Sequence, residues 1–156
     1  MGGATTIRTL SQDKRFKGGV ALDSWMFPVR QDTIDFERKN LLFVNMEKFQ
    51  GEKNLETMKR FEISPAEELE TNVISLKNAT HYAPSDILIT LQNGYIGELA
   101  LGKPDLEFSS FQNVLASSEL FHGWIKNRLC AEMETFLTAC RKYEERLLYG
   151  IKMPEK

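Results

Sequence analysis

Met1-Gly2-Gly3-Ala4-Thr5-Thr6-Ile7 and, a short polar stretch later, Val20-Ala21-Leu22-Asp23-Ser24-Trp25-Met26-Phe27-Pro28 decide how the chain is read. Ala4, Ile7 and Leu10 share one face of a helix over residues 4–12. Gly18-Gly19 ends that pattern, and Val20-Ala21-Leu22 is a short apolar run of the kind covered on both faces in a parallel sheet. Asp23 stands directly at its C-terminal end. The opening glycines fit a G-x-S-x-G turn, where a serine sits on a strained strand-to-helix bend and the glycine two residues on keeps that bend free of a side chain. Gly2 matches that glycine, with Gly3 beside it in the same turn. Met1 then follows the nucleophile, and the serine is expected immediately before Met1.

Working outward, Trp25 to Asn40 reads as loop, because Pro28 and mixed polar residues interrupt any period. Leu41-Leu42-Phe43-Val44 predicts a second buried strand. Leu55, Met58 and Phe61 predict a helix over 52–61. Ser64-Pro65-Ala66-Glu67-Glu68 reads as a turn or a short capped helix, and Val73-Ile74-Ser75-Leu76 as a third strand. Strands alternating with helices predict a parallel sheet with crossover helices. A polar loop, Lys77 to Asp86, leads to a helix ending near Leu99 and weakened by Gly94 and Gly97. One or two helices are predicted over 105–127, around Phe108, Phe111, Leu115, Leu120 and Trp124. A final amphipathic helix is predicted from about Arg128 to Tyr149, with Leu129, Met133, Phe136, Leu137, Cys140, Tyr143 and Leu147 on its stripe.

The chain has 156 residues, 42% of them hydrophobic and 27% charged, with net charge −2. That composition suits an ordered globular domain, although an α/β-hydrolase core ordinarily needs more chain. Basic residues are dispersed, so nucleic acid is not an expected partner. No apolar run approaches the roughly 18 residues of a transmembrane segment, and no leader pattern opens the chain. As written it is expected in the cytoplasm, while a longer parent could be secreted or cytoplasmic. Met1-Gly2-Gly3-Ala4-Thr5-Thr6 also meets the loose myristoylation pattern, but the elbow accounts for the same glycines. Cys130 and Cys140, ten apart on one predicted helix, are read as buried free thiols.

The run Gly2-Gly3-Ala4-Thr5, then Arg15-Phe16, then Ala21-Leu22-Asp23-Ser24-Trp25-Met26-Phe27-Pro28, resembles the platelet-activating factor acetylhydrolases. Leu42 to Gln50 resembles that family's next strand and its Asn-x-Glu-x-Phe-Gln end, here Asn45, Glu47, Phe49 and Gln50. The likeness is close over residues 2–50 and looser to about Leu129. It implies a single partial α/β-hydrolase domain over 1–156, with a helical tail over 130–150. The implied activity is a serine phospholipid esterase that removes the sn-2 acetyl or short acyl group, without metal, calcium or other cofactor. The implied partners are the phospholipid substrate and a lipid surface or lipoprotein.

A serine triad needs a base to take the hydroxyl proton and a carboxylate to hold that base in one tautomer. In α/β-hydrolases the chain order is serine, acid, histidine, each at or after the C-terminal end of a strand. Asp23 and His81 satisfy that order and placement. In the resemblance Asp23 is the acid of the Asp-x-Trp-Met-Phe-Pro run. His81 is the base of a Ser-Val-His loop with an aspartate five residues on, here Asp86, although Ala79-Thr80 stand where the family has Ser-Val. His122, among Leu120, Phe121 and Trp124, is given no chemical role. The backbone of Met1 would supply one oxyanion donor. Ser24 follows a different strand and is not expected to replace the serine.

The resemblance also places a lipid-facing helix at residues 87–101, with Tyr95, Ile96, Leu99 and Leu101 as its surface candidates; packing against the sheet is the simpler use of those side chains. Two readings are carried forward. One is the C-terminal part of an esterase, inactive alone because its nucleophile precedes Met1. The other is a non-catalytic product, a truncated isoform or decayed gene, whose helical C-terminus binds a partner or a lipid surface.

Overall fold

The computed structural model describes residues 2–37, 40–63, 71–84 and 110–153. The turn at 64–68, the helix to Leu99, Phe108 and the lipid-surface candidates Tyr95, Ile96, Leu99 and Leu101 lie outside the described residues, as does Met1.

The described residues build a four-stranded sheet in the order β1 (Gly19–Leu22), β2 (Leu41–Met46), β3 (Val73–Leu76) and β4 (Leu147–Tyr149). β1, β2 and β3 are parallel, as the alternation of apolar runs and helices predicts. The registers Leu22 to Val44 and Met46 to Leu76 set the three carboxyl ends along one edge of the sheet. In parallel sheets that edge is where ligands are bound.

β2 explains why the sheet has helices on both sides: all six of its residues are buried. Leu41 and Phe43 face a cluster with Ala4 and Ile7 of α1 (Gly2–Gln12), Met58 of α2 (Glu52–Lys59), and Met26, Val29 and Phe61. Leu42, Val44 and Met46 alternate to the other face. There they meet Ala116, Leu120 and Trp124 of α3 (Ser110–Cys130) and Phe136, Ala139 and Cys140 of α4 (Met133–Lys142). Burying a side chain of the size of Phe43 or Leu42 contributes ~1.5–3 kcal/mol.

The C-terminal region corrects the sequence reading twice. The predicted helix from Arg128 to Tyr149, and with it the helical tail over 130–150, is broken at both ends. Arg128 and Cys130 close α3, Ala131 takes a left-handed φ of +57°, and α4 ends at Lys142. Leu147–Tyr149 is then an antiparallel strand, with Leu76 opposite Leu147 and Ile74 opposite Tyr149. The apolar stripe misleads because Leu147 lies four residues after Tyr143, a spacing that also suits a helix. Pairing wins because the free side of β3 has backbone groups to satisfy, and Leu147 and Tyr149 both turn onto the α3 and α4 cluster.

The cysteines are corrected with it. They lie on two helices, and Cys130 is exposed whereas Cys140 is buried. Burial pushes the Cys140 thiol up to about 11, against a smaller opposing effect of Tyr149.

Over 105–127 the described part is one helix rather than two. Leu120 and Trp124 enter the core, while Phe111 and Leu115 are exposed. Among the described residues no helix is long and apolar enough to cross a membrane.

Candidate active site

Asp23 follows the last residue of β1 at the carboxyl edge of the parallel strands. Its backbone adopts a left-handed φ of +42°, a conformation that aspartate tolerates better than most side chains. Its N–H still donates to the Val44 carbonyl at 2.7 Å, so β1 remains paired with β2 while the chain turns. The carboxylate is thereby brought inside, with the residue only 4% exposed. A buried carboxylate is costly unless hydrogen-bonded, and this one is well supplied. Oδ1 accepts the backbone N–H of Met46 at 2.8 Å and Gln50 Nε2 at 2.7 Å, and Oδ2 lies 2.5 Å from His81 Nδ1.

His81 comes from the loop after β3. That loop is pinned to the turn after β2: Asn78 N–H donates to Glu47 Oε2 at 2.6 Å, and Lys48 N–H donates to the Ala79 carbonyl at 3.0 Å. Phe49, from the same turn, stacks on the imidazole with ring centres 4.2 Å apart, and Tyr82 meets it edge-on at 5.7 Å. The ring is held between two aromatic side chains and the carboxylate. An ionised carboxylate can only accept, so its partner Nδ1 carries the hydrogen. Nε2 is then left to take or give a proton on the far side of the ring. His81 has 49% of its side chain exposed, against 1% for Asp23, so the pair joins a buried carboxylate to an accessible imidazole.

Asp23 and His81, 58 residues apart in sequence, are thus brought into direct contact. Gly2 and Gly3 form the start of α1, and Gly3 lies against Ser24, the residue after Asp23. A Cβ on Gly3 would fall 1.8 Å from Ser24 Oγ, so α1 approaches the acid loop as closely as backbone allows. A Cβ on Gly2 would meet nothing within 4 Å. Ser24 is buried, and its hydroxyl has no hydrogen-bond partner among the described residues. His122 lines a separate cavity between α3 and α4 with Glu119 and Lys142.

The sequence reading gives no role to Phe49, Gln50 or Asn54. Asn54 Oδ1 accepts the Met26 N–H at 2.6 Å, and Asn54 Nδ2 donates to the Ser24 carbonyl at 2.7 Å and to Gln50 Oε1 at 2.6 Å. Phe49 and Gln50 close the Asn-x-Glu-x-Phe-Gln run after β2, which marks them without saying what they do, and Asn54 follows within the first turn of α2. A cavity of about 770 Å³ is lined by Phe49, the residue that stacks on His81, and by Trp25, Phe27, Arg30 and Asn54 among others. Trp25 and Phe27 stack at 5.2 Å, and the Arg30 guanidinium sits 4.0 Å over the Phe27 ring.

Comparison with known proteins gives the chain a family. The chain is 40% identical over 80 residues to the platelet-activating factor acetylhydrolase of Bos taurus, which is 51% of this chain and 17% of that protein. It is 41% identical over 81 residues to the protein of the same name from Cavia porcellus, 52% of this chain and 18% of that one. With the Canis lupus familiaris protein it shares 36% identity over 97 residues, 61% of this chain and 21% of the relative. The matched stretch therefore spans about a fifth of the length of these relatives. The model of platelet-activating factor acetylhydrolase, isoform II, matches residues 1–123, and the chain accordingly belongs to that family and its α/β-hydrolase fold.

Proposed function

We propose that Asp23 and His81 are the acid and base of a Ser-Asp-His triad in a phospholipid esterase that hydrolyses the sn-2 acetyl or short acyl group of platelet-activating-factor-like lipids. The contact of Asp23 Oδ2 with His81 Nδ1 at 2.5 Å carries the reading. His81 Nε2 takes the serine proton as the hydroxyl oxygen attacks the acyl carbonyl. It then passes that proton to the departing glycerol oxygen, which leaves as lysophospholipid. A water, activated by the same nitrogen, cleaves the acyl-serine to release a small acid and regenerate the hydroxyl. Asp23 holds the ring and balances its charge while it is protonated, and no metal takes part.

In this reading the nucleophile lies immediately before Met1 in a longer chain, and the Met1 amide completes the oxyanion hole. The 156-residue chain alone is then expected to hydrolyse no chromogenic short-chain ester and to take no serine-reactive fluorophosphonate. The same chain extended upstream through a Gly-x-Ser sequence is expected to do both. Labelling of the shorter chain, or inertness of the folded longer one, would overturn the proposal.

The exposed aromatic group Trp25, Phe27, Phe49 and Tyr82 favours a second reading, a non-catalytic module that rests on a lipid surface. Co-sedimentation of the chain with phosphatidylcholine vesicles, combined with inertness of the extended chain, would favour it.

A further inference from the structure

At the start of α2, two side-chain amides join the acid loop to the turn after β2. Their orientation is fixed from both ends. Asp23 Oδ1 can only accept, so the Gln50 atom 2.7 Å away is Nε2. The Met26 N–H can only donate, so the Asn54 atom 2.6 Å from it is Oδ1. Between these ends, both hydrogens of Asn54 Nδ2 are used, one on Gln50 Oε1 and one on the Ser24 carbonyl. The relay runs in one direction, from backbone to Asn54 to Gln50 to Asp23.

We infer that Gln50, held by Asn54, is a positioning residue for Asp23 and, through it, for His81. The inference rests on reading Asp23 and His81 as acid and base. With the Met46 N–H, Gln50 fills the lone pairs of Oδ1 and fixes the rotation of the carboxylate. Oδ2 is left as the oxygen that faces Nδ1, and the imidazole is held as its Nδ1–H tautomer with Nε2 free. Gln50 itself reaches no reacting atom. Without its amide hydrogen the carboxylate can turn about its own bond, and the ring loses what selects one tautomer over the other.

The full chain tests this without any turnover. Ring ¹⁵N shifts of His81, read through its carbon-bound ring protons at a pH where the ring is neutral, give the ratio of the two tautomers. The chain has two histidines, and His122→Gln assigns the signals. The Nδ1–H form is expected to predominate in the unaltered chain. Gln50→Glu keeps the side chain's shape and removes the donor, and it is expected to move the ratio toward Nε2–H by about fivefold or more.

Gln50→Met, which removes donor and charge together, is expected to do the same in chains shown by circular dichroism to be folded. Asn54→Asp is expected to give a smaller change in the same direction, and the exposed Glu56→Gln none. A ratio unchanged in both Gln50 variants would overturn the inference, as would an Nε2–H ring in the unaltered chain. A space-filling role alone would leave Gln50→Glu like the unaltered chain. Failure of ester hydrolysis in the extended chain bears on the esterase reading and leaves this ratio untouched.

Discussion

Around Asp23 the chain is held by directed hydrogen bonds between polar groups. The carboxylate takes Met46 N–H, Gln50 and His81, and Asn54 ties the loop of Ser24 and Met26 to the same cluster. Between α3 and α4, on the other face of the sheet, the contact is made by Ala116, Leu120, Trp124, Phe136 and Ala139. The helices approach so closely at Gly123 that an added Cβ would lie 2.9 Å from Phe136 Cα. Lys142 bridges Glu119 at 2.7 Å on its rim, and the one charge taken inside there among the described residues, Arg146, donates to Asn113 Oδ1 at 2.6 Å. The first region specifies geometry and the second supplies stability. Burial of apolar surface is large and undirected, whereas hydrogen bonds add little net energy but fix orientation.

Substitutions at three positions would break or sharpen that contrast. The largest effect is expected from Asp23→Asn in the extended, nucleophile-bearing chain. Ester hydrolysis should fall by about 10⁴-fold, the loss seen when a triad acid can no longer hold its histidine in the right tautomer. Asparagine also tolerates the left-handed backbone, so urea denaturation should show a far smaller stability change than the next variant does. A hydrolysis loss matched by unfolding would erase the distinction between the regions.

Trp124→Ala in the helical layer should do the opposite. Removing a side chain that is 3% exposed is expected to cost ~3–5 kcal/mol in a denaturant titration. The contact between Asp23 and His81 should survive in whatever fraction stays folded, as the His81 tautomer ratio would report. Trp124→Phe, which leaves a smaller gap, should cost less.

The smallest effect belongs to Glu119→Gln on the rim of α3. Lys142 holds the Glu119 carboxyl below the usual carboxylate range, against a smaller opposing effect of burial. Because the folded value is the lower one, this pair's stabilisation is present above the ordinary carboxylate range and is lost as pH falls through it. At neutral pH and moderate salt the substitution should cost ~0.5 kcal/mol or less, since the pair is largely solvated. Cost at neutral pH that persisted in high salt would mark the pair as more than a surface bridge.

Much of the site can be read from the sequence because strand ends are marked locally. Asp23 and His81 each follow an apolar run, and the parallel order of those runs brings their carboxyl ends together. Gln50 and Asn54 cannot be read that way. Gln50 stands in the Asn-x-Glu-x-Phe-Gln run, but nothing local gives it or Asn54 a task until tertiary pairing sets Asp23 and Met26 opposite them. The C-terminal segment fails for a related reason. Tyr143 and Leu147 satisfy a helical stripe, and only the open side of β3 decides that Leu147–Tyr149 becomes a strand.

The sequence by itself determined the α/β class, the three parallel strands, the family and the pairing of an acid after β1 with a histidine after β3. These depend on short-range patterns of apolar residues and on a specific motif. Tertiary structure alone decided which oxygen of Asp23 faces His81, which amides hold the other oxygen, and that the chain returns as an antiparallel β4. Those outcomes depend on hydrogen-bond partners supplied by residues distant in sequence, and no local pattern encodes a partner's position.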